Sequence, residues 1–135
     1  MKHFFAVILV CAVTAMSPGP GKANEAVKSV ISSQIDAFLN DDFVTAFDFA
    51  SPMIQGIFGT PERFGAMVRN GYPMVWRPAD VEFLTSEDRD GAVLQTVKIT
   101  DGGGRLYFLE YEMIETDQGW LINGVRIEEA GDGLA

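Results

Sequence analysis

The sequence contains one cysteine and one histidine, Cys11 and His3, and both lie close to its N-terminus. We predict that this part of the chain is a signal peptide, residues 1–23, that is removed on export. The mature chain then has neither side chain. That excludes a thiolate nucleophile, an imidazole base, a disulfide and any metal site built from Cys or His.

A hydrophobic run long enough to span a membrane is also lacking. The basic start at residues 1–3 is followed by an uncharged apolar run at residues 4–16, which is 13 residues long, whereas a spanning helix needs roughly 20. Helix-breaking and small residues follow, as in a signal-peptidase site. We expect cleavage after Ala23, with Ala15 as the alternative. The mature protein is then periplasmic or secreted, without stable membrane insertion.

Basic residues are few. The chain has 10 Lys and Arg against 19 Asp and Glu. Removal of residues 1–23 takes Lys2 and Lys22 with it and leaves 8 basic residues, a net charge of −11. Nucleic acid is therefore not expected as a partner, because neutralising phosphates requires clustered Lys and Arg. The remaining residues, 24–135, have the length of a single domain with one core.

The mature chain divides into a helical half and a strand half. Apolar residues recur at helical spacing over residues 25–40, and a second helix begins near Phe43. A hydroxyl residue followed by proline predicts two further helix starts, with helices at about 52–57 and 61–70. Alternating patterns then predict four strands, at about 75–85, 91–101, 104–116 and 119–128.

The predicted strands are joined by short turns rich in Asp and Gly, which favours an antiparallel meander. Helices followed by such a sheet predict an α+β fold, with N-terminal helices packed on a curved four-stranded antiparallel sheet. In the last strand, Trp120 and Ile122 are out of phase with Val125 and Ile127. We expect a bulge at residues 123–124 that brings all four onto one face.

The phase of the strands also predicts which side chains lie on the outer face of the sheet. Four of them are apolar: Leu94, Leu106, Phe108 and Leu121. An apolar outer face in a soluble protein is typical of an interface. We therefore predict a homodimer that buries this face.

Several short motifs together resemble one known family. They are Ala46-Phe47-x-Phe49-Ala50-Ser51-Pro52, Phe58-Gly59-x-Pro61-Glu62-x-Phe64, Met67-Val68, Tyr72-Pro73, Arg77-Pro78 and Gly119-Trp120-x-Ile122. Over residues 30–129 the chain resembles a family of exported bacterial domains of unknown function, numbered four-eight-six-four. The resemblance implies the cystatin-like cone of the superfamily that includes nuclear transport factor 2, ketosteroid isomerase and polyketide cyclases. It implies no activity and no catalytic residues.

Six residues are candidates for binding a ligand: Tyr72, Trp76, Arg77, Gln95, Tyr107 and Tyr111. Gln95, on an otherwise apolar strand face, is either a ligand-orienting amide or a core amide bonded within the protein. Tyr107 and Tyr111 share a face, and either donate to a ligand carbonyl or form an aromatic wall. Trp76 and Arg77 follow the last helix. They either hold an anionic or aromatic ligand, or cover the junction and pair with a surface carboxylate.

The carboxylates of the sheet are out of phase with these candidates. Glu110 and Glu112 alternate with the tyrosines, and Asp80 and Glu82 alternate with apolar residues. We therefore expect the acids outside the cone, whereas an isomerase of this superfamily places a carboxylate base inside.

We expect a non-catalytic exported module that binds a small apolar or amphipathic molecule, or a protein partner. The alternative is a small cofactor-free enzyme of the isomerase or cyclase type, which uses tyrosine and carboxylate groups. The lack of His and Cys favours the binding module. We predict no cofactor and no metal site.

Overall fold

The computed structural model describes residues 20–131, with side chains for residues 23–128. The predicted signal peptide, apart from its last four residues, lies outside this part of the chain. Within it, five helices precede four strands. The helices are α1 (Pro20–Leu39), α2 (Phe43–Asp48), α3 (Pro52–Phe58), α4 (Pro61–Gly71) and α5 (Pro73–Trp76). The strands are β1 (Pro78–Arg89), β2 (Ala92–Asp101), β3 (Leu106–Thr116) and β4 (Gly119–Gly131).

Side-chain caps start the three helices that follow α1. The carboxylate of Asp42 accepts from the Thr45 amide at 3.1 Å. The Ser51 hydroxyl accepts from the Ile54 amide at 3.3 Å. Thr60 caps α4 in the same way. Each cap satisfies an amide that the first turn of a helix leaves free, and the hydroxyl–proline prediction is confirmed at both positions.

One helix differs from the sequence-based expectation. Residues 73–76 form the single turn α5, and β1 begins only at Pro78, so the prediction of a strand from residue 75 is wrong at its start. Pro73 stands at the first helical position, where its fixed φ and missing amide proton favour a helix. This local preference prevails over the alternation of apolar residues.

The strands form one antiparallel sheet in the order β1-β2-β3-β4. Asp90 and Gly91 connect β1 to β2 with φ of 52° and 83°, as a two-residue hairpin turn requires. In β4, Gly124 pairs with Glu112 and Ile122 with Met113. The extra residue is Asn123, so the predicted bulge is confirmed.

A second irregularity lies in β1. Phe83 pairs with Val97 and Ser86 with Gln95, so two residues of β1 stand opposite the single residue Thr96. The additional residue breaks the regular ladder there. It places the backbone carbonyls of Leu84 and Thr85 within reach of the Gln95 side chain.

The core lies between the helices and one face of the sheet. Phe64 of α4 is its aromatic centre, with ring centroids 5.9 Å from Phe38, 5.4 Å from Phe47 and 5.8 Å from Phe58. A Cβ added to Gly65 would lie 2.6 Å from the ring of Phe43. The close packing of α4 on α2 therefore requires glycine at this position.

The burial of the strands follows the predicted phase. Val93, Gln95, Val97 and Ile99 of β2 are all buried on the inner face. The predicted α+β fold is confirmed, and the arrangement is consistent with a cone of the nuclear transport factor 2 type. In the described part of the chain, no helix combines the length and apolarity needed to cross a membrane.

Candidate functional site

A cavity of about 210 Å³ lies between the helices and β4. Four helices (α1, α3, α4 and α5), two residues between helices and the strand β4 contribute to its wall. The residues around it are Gln34, Phe38, Ala50, Ile54, Phe58, Phe64, Met67, Val68, Tyr72, Val75, Ile122, Gly124 and Val125. Two of these side chains, Gln34 and Tyr72, carry polar atoms, and none of them is charged. The cavity is therefore suited to a neutral, mainly apolar molecule.

Backbone hydrogen bonds connect the α2–α3 junction to β4 along one side of the cavity. The Ser51 amide donates to the Ile122 carbonyl at 2.8 Å, and the Ile122 amide donates to the Phe49 carbonyl at 2.9 Å. The Ser51 hydroxyl also lies 2.8 Å from Oδ1 of Asn123, the bulged residue. The bulge thus provides an anchor for the segment that leads into α3.

The short helix α3 covers the cavity without being buried itself. Ile54 and Phe58 line the cavity and are half-buried. Met53 and Ile57, on the other side of the helix, are 54% and 64% exposed. This wall is the one held by the least packing, because α3 has no buried residue.

The two polar side chains of the wall each make a hydrogen bond within the protein. Gln34 is buried, and its Nε2 donates to the Ala46 carbonyl at 3.1 Å. The Tyr72 hydroxyl donates to the Val125 carbonyl at 3.0 Å. The Gln34 carbonyl oxygen and the Tyr72 hydroxyl oxygen remain available as hydrogen-bond acceptors.

Gln95 and Tyr111 are both fully buried and stand directly opposite each other on β2 and β3. Nε2 of Gln95 lies 3.3 Å from the carbonyl oxygens of Leu84 and Thr85, at the irregularity of β1. Nε2 of Gln95 thus satisfies strand carbonyls from within the core. Neither residue is part of the cavity wall.

Each of these two side chains has a polar atom without a partner among the described residues, Oε1 of Gln95 and the hydroxyl of Tyr111. Burial raises the pKa of Tyr111 far above its usual value, and the nearby Tyr72 raises it further. The hydroxyl of Tyr111 therefore keeps its proton at neutral pH and is a donor.

Trp76 and Arg77 lie on the outside of the junction between α1 and α5, away from the cavity. Nε1 of Trp76 donates to Oδ1 of Asp41 at 3.0 Å. Arg77 donates to the same oxygen at 2.9 Å and to the Phe38 carbonyl at 2.7 Å, with its guanidinium 4.1 Å from the Trp76 ring centroid. These contacts tie both side chains to the end of α1, and Arg77 forms an ion pair with Asp41. Hydrogen bonds from Trp76 and Arg77 lower the pKa of Asp41.

Tyr107 is half-buried near the turn between β2 and β3. Its hydroxyl lies 3.4 Å from Oδ2 of Asp101, and the Arg105 guanidinium is 5.4 Å from its ring centroid. Of the six candidate ligand-binding residues, Tyr72 alone is part of the cavity wall. Gln34 is a residue of the cavity wall that was not predicted from the sequence, although it lies on the same helix face as the buried Ile31 and Phe38. A polar residue in that apolar stripe is the signal that identifies it.

The carboxylates of the sheet lie on its outer face. Glu110 forms an ion pair with Arg126, and Glu112 stands opposite Leu94 across the strands. Asp80 and Glu82 are exposed. No carboxylate is part of the cavity wall. Over the described residues, no group of three or more acidic, Cys or His side chains is placed to hold a metal ion.

The predicted interface residues differ in exposure. Leu94 and Leu121 are only 9% and 7% exposed within the single chain, and Leu106 and Phe108 are half-buried. Leu106 and Phe108 are thus the members of this set with more surface left for a partner. The homodimer stays a prediction.

The comparisons with known proteins identify one family. The profile of the family described as "Domain of unknown function (DUF4864)" matches residues 21–133, which includes every helix and strand described above except the first residue of α1, Pro20. Neither a curated protein nor a solved structure matches the chain.

Proposed function

The chain belongs to the DUF4864 family of domains of unknown function, and we propose that it is a non-catalytic binding module for a small neutral apolar molecule. The observation that carries this proposal is the uncharged wall of the cavity between the helices and β4. A charged ligand would lose its hydration there without gaining an ion pair, which is strongly unfavourable.

The size of the cavity supports a ligand of one or two rings or a short chain. Its volume is about 210 Å³, whereas an engineered apolar cavity of roughly 150 Å³ binds benzene. Burying about 200 Å² of ligand surface at about 25 cal/mol/Å² contributes about 5 kcal/mol. The cost of association is subtracted from this, so the Kd is no tighter than a few hundred micromolar, to order of magnitude. Propylbenzene is a suitable probe for this range.

The test is a titration of the protein with propylbenzene, followed by amide chemical shifts. We expect saturable shifts in residues around the cavity. Ala50→Leu adds three carbons to the wall, where Ala50 is 1% exposed, and should weaken binding at least tenfold. Ala79→Leu makes the same change at an exposed position of β1 and should leave binding unchanged. Equal binding by Ala50→Leu and wild type would overturn the proposal.

We also propose that the domain acts outside the cytoplasm, after removal of its N-terminal segment. Helix α1 begins at Pro20, so cleavage after Ala23 would remove its first turn, whereas cleavage after Ala15 leaves α1 whole. The intact mass of the secreted protein distinguishes the two sites. A mass that includes Met1–His3 would contradict export by signal cleavage.

A further inference from the structure

Two polar atoms in the core have no partner among the described residues. They are the hydroxyl of Tyr111 and Oε1 of Gln95, in side chains that are both 0% exposed. Buried polar groups in native proteins nearly always form a hydrogen bond, so each exception needs a reason. The other polar atom of the Gln95 amide, Nε2, is bonded to strand carbonyls, which fixes the orientation of the amide and leaves its oxygen as the free atom.

The two atoms belong to directly paired residues and have complementary chemistry. Gln95 and Tyr111 are opposite each other across β2 and β3. Tyr111 keeps its proton, so its hydroxyl is a donor, while Oε1 of Gln95 is an acceptor only. A single group that satisfies both must accept one hydrogen bond and donate another. A hydroxyl does this, whereas an ether or ketone oxygen can only accept.

The cavity adjoins this pair through Tyr72 and Val125. Val125 stands opposite Tyr111 on the other side of β3. The carbonyl of Val125 holds the Tyr72 hydroxyl at 3.0 Å, and both residues are part of the cavity wall. Tyr72 is half-buried and makes this one side-chain hydrogen bond. It also contributes to the raised pKa of Tyr111, so it is a residue of the cavity wall that lies near Tyr111.

We propose that the ligand of this domain is an alcohol or phenol whose hydroxyl accepts from Tyr111 and donates to Gln95, with its apolar part in the cavity and the Tyr72 side chain turned aside to admit it. This inference rests on the proposed function. The hydroxyl group of a ligand and a water molecule have the same hydrogen-bonding capacity, so the experiment has to distinguish these two sources.

The experiment compares 4-propylphenol, 4-propylanisole and propylbenzene, which differ only at the polar end. Affinities are measured by amide chemical shifts on wild type, Tyr111→Phe and the control Tyr107→Phe. We expect wild type to bind 4-propylphenol about tenfold more tightly than propylbenzene, the effect of about 1.4 kcal/mol of hydrogen bonding. The anisole, which cannot donate to Gln95, should lose most of this gain.

In Tyr111→Phe the preference for the phenol should disappear, with propylbenzene binding unchanged, while Tyr107→Phe should behave as wild type. If Tyr111→Phe retains the full preference, or if wild type shows none, the inference is wrong and the hydroxyl of a ligand is not the partner of the pair. If propylbenzene still binds in the cavity in that case, the proposed function remains supported and the hydroxyl inference alone is wrong. If none of the three probes binds, both the inference and the proposed function are wrong.

Discussion

Removing the hydroxyl of Tyr111 should stabilise the ligand-free protein. The side chain is 0% exposed, and its hydroxyl has no hydrogen-bond partner among the described residues. Folding therefore takes this hydroxyl from water without replacing its hydrogen bonds, at a cost of about 1–3 kcal/mol. In Tyr111→Phe the ring stays in place, and this cost is not incurred.

The expected gain follows from two opposing terms. The void left by one oxygen atom, roughly 15 Å³, destabilises by about 0.4 kcal/mol at about 24 cal/mol per Å³. The net effect is an increase of about 1–2 kcal/mol in the free energy of unfolding. For a domain of this length, that raises Tm by roughly 4–8 °C.

Urea denaturation followed by tryptophan fluorescence measures this effect, since both tryptophans are retained. Tyr107→Phe is the matched control. It removes a hydroxyl whose contact with Asp101 is long, at 3.4 Å, so its stability should change by less than about 0.5 kcal/mol. A loss of stability of about 0.5 kcal/mol or more in Tyr111→Phe, the smallest net contribution expected of a hydrogen bond, would refute the reasoning. The hydroxyl would then have a partner in the ligand-free protein.

Three further predictions concern the helices and the outer face. Asp41 has a lowered pKa in the folded protein, so its contribution to stability is present above the usual value of 3.8 and is lost as pH falls through the folded pKa. In Asp41→Asn the urea midpoint should therefore depend less on pH in this acidic range than in wild type. The same pH dependence in both proteins would contradict this prediction. Gly65→Ala should destabilise by about 1–2 kcal/mol through its clash with an aromatic ring, whereas Gly56→Ala, with open space around it, should be neutral or slightly stabilising. If a homodimer forms, Leu106→Glu with Phe108→Glu should halve the mass in sedimentation at tens of micromolar; a wild-type monomer there would rule the dimer out.

The sequence predicts those parts of the fold that depend on neighbouring residues. Ser51-Pro52 starts a helix because the hydroxyl and the proline ring act on the next turn of the same chain. The bulge at Asn123 was predictable because one extra residue is what reconciles Ile122 with Val125. Helix α5 was not predictable in this way, because it is a single turn after Pro73 and the same residues also alternate as in a strand.

The cavity depends on residues far apart in the chain and could not be located from the pattern alone. Its wall joins Gln34 of α1, Phe58 of α3 and Val125 of β4, and their meeting depends on how the helices cross the sheet. Gln95 was predicted as a buried polar residue on an otherwise apolar strand face. Its partners could not be named, because they depend on the register shift of β1.

The distribution of charge bears on the choice between a binding module and an isomerase-type enzyme. Proton transfer in such an enzyme needs an ionised base inside the cone. Here the strand phase places Glu110 and Glu112 on the outer face, where Glu110 pairs with Arg126. Tyr111 does not replace them, because burial raises its pKa and keeps the hydroxyl protonated. The proposed recognition of a hydroxyl group by Tyr111 and Gln95 needs no ionised side chain, and this favours the binding module over the enzyme.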